Sequence, residues 1–400
     1  MNERRGDRPP RPRHPDTSVV TGGRDPDWYH GFVNPPVYHA STVIYASAED
    51  YVARRGRYQY GRRGTPTTEA LELAVQELEG PQCAGVALLP SGLAAISTAL
   101  LSVVRAGDNI LVTDSAYAPT RSYCDHILSR LGVTTTYYDP LVGAAIADLI
   151  LPSTRAVFLE SPGSLSFEIQ DVAAIATAAH AKGATVLMDN TWATPLYFRP
   201  LDHGVDLSIQ AGTKYIGGHS DVMLGTVAAG KAAIADLKHT VGYSGLCEGP
   251  DDVYLGLRGL RTLAVRLERH HKSGLAVARW LEQRPEILRV IHPAMPSHPG
   301  HAIWKRDFAG ACGLFSVVFK PAAEKQVYAL LDALELFGIG ASWGGFESLA
   351  IPFDCGPVRT ATRWAPGGPA IRLHIGLEDV SDLIADLERG FAAMALARGA

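Results

Sequence analysis

Two side chains suited to acid–base chemistry follow apolar, strand-like runs of the sequence. Asp189 comes directly after the run 185–188, and Lys214 lies four residues beyond the run 206–210. A lysine at such a place is unusual, because its ammonium group normally stays at the surface. If buried, its amine needs a carbonyl to condense with or an anion to pair with. Taken alone, Asp189 is equally compatible with a structural role.

A third strand end adds an anion site. The run 86–89 is followed by Pro90, Ser91 and Gly92, and a predicted helix begins at Leu93. The free N–H groups of a helix N-terminus bind phosphate. Pyridoxal 5′-phosphate needs an amine for its aldehyde, an acid partner for its pyridine nitrogen and a phosphate site. The spacing matches these needs, although a plain helix start remains an alternative.

We therefore assign Lys214 to the aldehyde, Asp189 to the pyridine nitrogen, and Gly92 with Leu93 to the phosphate. Tyr117 follows another predicted strand and has the aromatic ring to stack on the pyridine, with ordinary packing as the alternative. We include Tyr117 with Lys214 among the catalytic candidates.

The elements that must position these residues form a repeating pattern from about residue 66. Largely apolar runs at 86–89, 110–112, 156–159 and 185–188 alternate with segments of helical periodicity, and a further strand is predicted over 206–210. Such strands are typical of a parallel sheet covered by helices on both faces. Ligands of these sheets bind beyond the carboxyl ends of the strands, where the candidates lie.

The remainder of the chain predicts a smaller α+β domain. A long amphipathic helix over 252–282 precedes strands at 314–318 and 371–375, with helices at 325–336 and from Ser381 onward. We divide the chain into a leader (1–16), an N-terminal arm (17–63), a cofactor-binding domain (64–255) and a C-terminal domain (256–400). The leader has five Arg and four Pro with little apolar content, so we expect it to be disordered.

The overall composition limits the partners. With 37 basic and 41 acidic side chains the net charge is −4, which argues against a nucleic-acid-binding protein. No run of 18 uncharged apolar residues suggests a membrane span. The five cysteines are widely spaced and lack a C-x-x-C pair, which fits a reducing cytoplasm.

Histidines offer no metal motif, so we predict no metal. His292, His298 and His301 stand in a proline-rich stretch that we interpret as a solvated loop, and their spacing matches no compact metal site. The pair His270 and His271 lies in a charged helical stretch, where we expect the surface.

Five segments carry a family resemblance: 60–67, 159–164, 188–193, 213–221 and 342–349. In this order they are similar to the pyridoxal-phosphate enzymes of cysteine and methionine metabolism, over residues 17–400. The resemblance implies the fold-type I, aspartate-aminotransferase-like architecture. It also implies pyridoxal phosphate as the cofactor and an amino acid as the substrate.

The resemblance further implies shared active sites. In the family a Tyr-x-Arg segment, here Tyr60 and Arg62, reaches the phosphate of a neighbouring subunit, and the usual assembly is a tetramer of such dimers. Thr213 would also contact the phosphate. Relatives have a serine where this chain has Ala211, so one phosphate contact is in doubt.

The resemblance also assigns substrate contacts and a reaction. Arg372 would bind the substrate α-carboxylate, with Ser342 and Trp343 beside it. Relatives of the γ branch usually carry Asn at Ser164 and Leu at Trp343, so these residues favour the β-lyase branch. The expected reaction is β-elimination from L-cystathionine. A γ-lyase, γ-synthase or sulfhydrylase, and a non-enzymatic regulator with the same fold, are the alternatives.

Overall fold

A computed structural model describes residues 13–397 of the chain. Its first helix begins at Pro15, so the predicted disorder is wrong for the last two residues of the leader, which are helical. Residues 1–12 of that leader lie outside the described part. No helix within 13–397 combines the length and the apolar character that crossing a membrane requires.

Thirteen α-helices and eleven strands occur between residues 13 and 397. The helices are α1 (Pro15–Thr21), α2 (Ala48–Val52), α3 (Pro66–Glu79), α4 (Gly92–Val103), α5 (Ala118–Tyr123), α6 (Val172–Ala181), α7 (Thr194–Tyr197), α8 (Ile234–Tyr243), α9 (Pro250–Leu260), α10 (Leu263–Glu282), α11 (His301–Asp307), α12 (Glu324–Asp332) and α13 (Val380–Leu396). The strands are β1 (Gly85–Leu89), β2 (Asn109–Thr113), β3 (Thr134–Tyr138), β4 (Thr154–Glu160), β5 (Thr185–Asp189), β6 (Leu207–Gln210), β7 (Gly225–Ala229), β8 (Ile287–Ile291), β9 (Leu314–Phe319), β10 (Leu349–Phe353) and β11 (Ala370–His374).

The first seven strands form one sheet in the order β1-β7-β6-β5-β4-β2-β3. Strands β2 to β6 are parallel, as predicted, whereas β7 runs antiparallel to both β6 and β1. A crossover helix normally joins parallel neighbours, but the segment between β6 and β7 contains no α-helix. That segment carries Lys214 instead.

Helices cover both faces of this sheet. Apolar side chains of α3 and α6 pack on one face, and those of α4 and α8 pack on the other. Strands β2, β6 and β7 are buried along their whole length, as expected for strands of a sheet that helices cover on both faces. Because β1, β2, β4, β5 and β6 run in the same direction, their carboxyl ends lie at one edge of the sheet.

The later strands form a four-stranded antiparallel sheet in the order β10-β11-β9-β8, against which α12 and α13 pack. The single helix predicted over 252–282 is wrong, because the chain turns between α9 and α10. At this turn the carbonyl of Gly259 accepts hydrogen bonds from the Thr262 N–H and from the Arg266 guanidinium. The neighbouring backbone of Gly217 leaves no room for a side chain at Gly259.

Three histidines predicted to be solvated are buried. His270 and His292 are fully enclosed and His298 is 6% exposed, so the expectation of a surface pair and a solvated loop is wrong. Nδ1 of His270 donates to the Ile375 carbonyl at 2.7 Å. Nδ1 of His292 accepts the N–H of Ala294 at 3.1 Å. The rings satisfy backbone groups in the interior, a role that local sequence does not reveal.

Candidate active site

Lys214 lies in the turn beyond β6, and its side chain points toward the second sheet. Its amine donates a 2.6 Å hydrogen bond to the hydroxyl of Ser342, which precedes β10. Burial lowers the pKa of Lys214 to about 8, with a further contribution from the positive charge of Arg372. The carboxylate of Asp189 acts in the opposite direction. More of this amine is therefore unprotonated near neutral pH than of an ordinary lysine, which favours its use as a nucleophile or base.

Asp189 is the last residue of β5, at the sheet edge where Lys214 also lies. Its Oδ1 accepts hydrogen bonds from the N–H and the hydroxyl of Thr191, at 2.9 and 2.6 Å. Desolvation raises the pKa of Asp189, while Thr191 and Lys214 oppose the rise. Within residues 13–397, Oδ2 makes no hydrogen bond. One carboxylate oxygen is thus fixed by Thr191 and the other is available.

Glu160 is a site residue that sequence reasoning missed. It ends β4 and pairs in register with Asp189 of β5, so two carboxyl groups stand side by side. Burial, followed by the charge of Asp189, raises the pKa of Glu160 well above its usual value. Its Oε2 accepts the backbone N–H of Tyr117 at 2.7 Å and so fixes the start of α5. Its place at a strand end, inside one of the five resembling segments, was the available signal.

Tyr117 stands at the mouth of the cleft, with 45% of its surface exposed. Burial and the charges of Glu160 and Asp189 raise the pKa of its hydroxyl, whereas Arg372 lowers it. The ring therefore lies among the other candidate residues and presents a free surface, as stacking on a planar ligand requires.

The N-terminus of α4 closes another side of the cleft. Ser91 caps the helix by accepting the N–H of Ala94, whereas the N–H groups of Gly92 and Leu93 have no partner within residues 13–397. A Cβ on Gly92 would lie 2.5 Å from the Cβ of Ala211, so the helix start touches the turn that carries Lys214. This contact brings an anion-binding helix end beside the amine.

Thr213 has a structural role that the sequence did not predict. Its hydroxyl accepts the N–H of Leu224 and donates to the carbonyl of Leu224, at 3.0 and 3.1 Å. The single hydroxyl proton is therefore already engaged. The phosphate contact proposed for Thr213 stays a prediction, and Ala211 supplies no hydroxyl in its place.

Arg372 of β11 is buried, with 7% of its surface exposed. Its Nη2 donates to the carbonyl of Ser342 at 2.9 Å and to two preceding carbonyls, and its Nε has no partner. No carboxylate within residues 13–397 forms an ion pair with it. Desolvation lowers the pKa of Arg372 to about 10. A buried guanidinium without an ion pair is suited to binding a carboxylate, so the role predicted for Arg372 stays a prediction that this geometry supports.

Trp343 completes this side of the cleft. The Nζ of Lys214 lies 5.4 Å from the centre of the indole ring, within the range of a cation–π contact. The indole also packs on Tyr215, with ring centres 5.5 Å apart. Trp343, Ser342 and Arg372 therefore surround the amine on the side of the second sheet.

Tyr60 and Arg62 are not part of this cluster. They line a separate cleft of about 890 Å³ near the start of α3, together with Glu72, Lys238 and Glu248. Arg62 donates to the carbonyl of Gly242 at 2.7 Å, and neither residue hydrogen-bonds to Lys214 in the described chain.

The donor set fits pyridoxal phosphate. The same cleft is bordered by an amine of lowered pKa, a carboxylate with one unengaged oxygen, and a helix N-terminus whose first two N–H groups have no partner within residues 13–397. A side chain at residue 92 would collide with Ala211, so a glycine is needed for the helix start to approach the turn that carries Lys214 this closely. Across residues 13–397, His, Cys, Asp and Glu side chains form no group suited to a metal ion.

The fold and the site together define a fold-type I pyridoxal-phosphate enzyme. The family described as "Cys/Met metabolism PLP-dependent enzyme" matches residues 16–392, and the chain belongs to this family. Pyridoxal phosphate is therefore its cofactor.

Relatives and a solved structure agree with this membership. A Rhizobium johnstonii protein with the provisional name cystathionine beta-lyase is 55% identical, over 94% of this chain and 96% of its own. Cystathionine beta-lyase MetC of Escherichia coli is 45% identical over 94% and 98% of the two chains. The crystal structure of cystathionine gamma-lyase from Lactobacillus plantarum complexed with L-serine has a TM-score of 0.87 and 31% identity, covering 95% and 99%.

Proposed function

We propose that the protein catalyses β-elimination from L-cystathionine, which with water gives homocysteine, pyruvate and ammonia. One observation carries the proposal: buried Arg372, without an ion pair in the described chain, faces the same cleft as the amine of Lys214. An amino-acid substrate has a carboxylate for the guanidinium and a Cα proton for the amine. Other cysteine S-conjugates share both groups and are further candidate substrates.

Each residue has one task in this reaction. When bound, pyridoxal phosphate supplies an aldehyde that captures the substrate amine and a protonated pyridine that withdraws electrons from Cα. Lys214 removes the Cα proton at its Nζ, and the Ser342 hydroxyl orients that nitrogen. The unengaged oxygen of Asp189 holds the proton on the pyridine nitrogen. Arg372 fixes the substrate carboxylate.

Positioning of the cofactor is assigned to three further groups. The N–H groups of Gly92 and Leu93 bind the phosphate at the start of α4, with Thr213 as an additional candidate. The Tyr117 ring stacks on the pyridine, and Glu160 holds Tyr117 in place through its backbone N–H. The protonated, uncharged form of Glu160 avoids repulsion with Asp189.

Sequence identity supports the β-lyase branch of the family over the γ-lyase branch. The relatives that carry the β-lyase name are 41 to 55% identical, whereas the γ-lyase structure is 31% identical. Trp343 places a bulky indole beside Lys214, which restricts the positions that the substrate chain can take. A γ-eliminating enzyme is the second candidate, because that relative shares the fold and most of the chain.

The proposal includes a homotetramer in the cytoplasm. Tyr60 is 47% exposed and Arg62 lies at an open cleft, so both are available to a second chain. Each would bind the phosphate in the partner's active site.

A product assay tests the reaction. Purified protein with pyridoxal phosphate is given L-cystathionine, and pyruvate, 2-oxobutyrate and homocysteine are quantified separately. We expect pyruvate and homocysteine in equal amounts with little 2-oxobutyrate. Mainly 2-oxobutyrate would favour the γ-lyase. A protein that gains no visible absorption when the cofactor is added would instead be a non-enzymatic relative.

A further inference from the structure

The backbone at Gly344 rests directly on the backbone of Lys214. Gly344 has a φ of +87°, and a Cβ there would lie 3.0 Å from the Cα, Cβ and carbonyl carbon of Lys214. Only glycine suits both this conformation and this contact. The two preceding residues, Ser342 and Trp343, are those that contact the Lys214 amine. The position of this turn, residues 342–345, therefore sets the surroundings of the amine.

Two side chains of β11 hold the turn. Arg372 donates to the carbonyl of Ser342 at 2.9 Å, and Nε2 of His374 accepts the N–H of Gly344 at 3.1 Å. Residues two apart on a strand face the same side, so Arg372 and His374 both contact the turn, one at Ser342 and the other at Gly344. His374 is fully buried and cannot exchange this contact for one with water. Arg372 has a further role as the carboxylate site, whereas His374 has none so far.

The contact requires one protonation form of the ring. Nε2 can accept the Gly344 N–H only through its lone pair, so the ring proton lies on Nδ1. The carbonyl of Gly345 lies 3.2 Å from the same Nε2. A proton on Nε2 would bind this carbonyl and leave the Gly344 N–H without a partner. The neutral Nδ1–H form keeps the bond to Gly344, while its Nδ1 has no partner within residues 13–397; in either neutral form Nε2 contacts the backbone of the turn.

The surroundings favour the neutral form. Burial holds the pKa of His374 well below its usual value, and the neighbouring His270, Arg372 and Lys214 contribute in the same direction. Only the carbonyl of Gly345 opposes them. His270 donates its own Nδ1 proton to Ile375, and burial lowers the pKa of His270 to about 4, so this ring, 5.2 Å from His374, is neutral near pH 7 as well.

We propose that His374 is a positioning residue for catalysis: it holds Gly344, and through it keeps Ser342 and Trp343 in contact with the Lys214 amine. His374 does not touch the substrate. The inference rests on the proposed role of Lys214 and extends it to a residue of the second sheet. Without the His374 acceptor, the turn loses its bond at Gly344 while Arg372 still holds the carbonyl side.

The expected kinetic effect is specific. The amine loses its fixed hydrogen bond to Ser342, and misplacement of a reacting group by about 1 Å can lower turnover on the order of 10²-fold. We therefore expect kcat to fall by about that factor in His374→Leu. KM for cystathionine should change little, because Arg372 remains. His374→Gln retains an acceptor near the Nε2 position and should recover most of kcat.

The matched control is His292→Leu. His292 is also fully buried and also accepts a backbone N–H, from Ala294, but it holds a different turn. Both leucine variants should lose thermal stability, and only His374→Leu should lose turnover. His374→Asn is the second test variant. Its shorter amide does not reach Gly344, so we expect the same loss of turnover as in His374→Leu. It provides the test if His374→Leu does not fold.

The holoenzyme provides a readout that is independent of turnover. Its visible absorption depends on the protonation of the Lys214 nitrogen joined to the cofactor, so a pH titration reports the surroundings of that nitrogen. In His374→Asn and His374→Leu the midpoint of this absorption titration should move to higher pH. Water admitted beside the Lys214 nitrogen favours the protonated form of that nitrogen. The midpoint of His374→Gln and of His292→Leu should match the unmodified protein.

Two results would overturn the inference. The first is that His374→Asn has the same kcat and the same titration midpoint as His292→Leu. The second is that His374→Gln and His374→Asn lose kcat by the same factor. An unmodified protein that does not cleave cystathionine would refute the proposed reaction, while the midpoints would still decide whether His374 positions Lys214.

Discussion

The amine of Lys214 and the hydroxyl of Ser342 form a 2.6 Å hydrogen bond across 128 residues of sequence. Lys214 follows a strand of the seven-stranded sheet, and Ser342 precedes a strand of the four-stranded sheet. The bond therefore exists only where the two sheets pack together. It places the amine of Lys214 beside Arg372, so the packing of the two sheets joins the proposed proton-transfer site to the proposed carboxylate site.

The first prediction concerns Lys214→Ala. We expect pyruvate formation to fall on the order of 10⁴-fold, since the variant lacks the base and the amine that anchors the cofactor. The cofactor-free variant should be at least as stable as the unmodified protein, because burying the ammonium is unfavourable. A coupled pyruvate assay and thermal unfolding measure both effects. Lys231→Ala, at an exposed site, is the control, and near-normal turnover in Lys214→Ala would refute the assignment.

The second prediction concerns shared active sites. If Arg62 serves the phosphate of a partner chain, Arg62→Ala and Lys214→Ala are each inactive alone but complement each other when mixed. Random reassociation makes half of the dimers hybrid, each with one intact site, so about one quarter of full activity should return. Activity is measured after dissociation and reassociation, with each variant treated alone as the control. Full activity in an isolated monomer would contradict shared sites.

The sequence predicted the sheet that carries the cofactor because its strands are buried on both faces. The predicted strands at 86–89, 156–159 and 185–188 are largely apolar, the one at 206–210 alternates apolar with polar residues, and the structure confirms all four as β1, β4, β5 and β6. The antiparallel direction of β7 could not be predicted in the same way. It depends on a connection without a helix, whose course is set by contacts such as that of Thr213 with Leu224.

The sequence could not predict contacts that depend on distant backbone groups. His270 and His292 were assigned to the surface and to a solvated loop from their polar or proline-rich neighbours, yet both are enclosed by other elements. Glu160 received no role, because its register with Asp189 appears only once β4 and β5 pair. The five resembling segments contained the main candidates, but their contacts depend on tertiary packing.

The third prediction concerns acid stability. Burial, with the charges of His271 and His298, lowers the pKa of His292 to about 3, against about 6.5 in the unfolded chain. The unfolded chain therefore takes up a proton between these values and the folded protein does not, so stability falls as the pH drops through this window. His292→Asn retains an acceptor near Nδ1 and lacks this effect.

Relative to His292→Asn, the unmodified protein should lose about 2 kcal/mol of unfolding free energy between pH 7 and pH 5. Urea unfolding of both proteins at the two pH values measures the difference. Comparing variant with unmodified protein cancels the contributions of the buried carboxyl groups. A difference that does not change with pH would show that His292 takes up its proton equally in both states.

The last prediction concerns Trp343 and the choice between β- and γ-elimination. γ-Elimination needs a second proton removal, at Cβ, so the base must reach both carbons of the substrate. The indole of Trp343 lies 5.4 Å from the Lys214 nitrogen and is braced by Tyr215, which limits how far the substrate chain can turn. If Arg372 holds the substrate carboxylate, the indole favours substrate conformations in which the Cβ–S bond is perpendicular to the cofactor plane, where β-cleavage is assisted.

Trp343→Leu removes the indole and leaves Arg372 and Lys214 unchanged. We expect catalysis to continue while the ratio of 2-oxobutyrate to pyruvate rises by about tenfold, a size typical of a changed apolar contact in a pocket. Both products are measured with cystathionine as the substrate. Trp364→Leu is the control, since Trp364 packs on Phe353 instead. An unchanged ratio in an active Trp343→Leu protein would mean that other residues choose the bond that breaks.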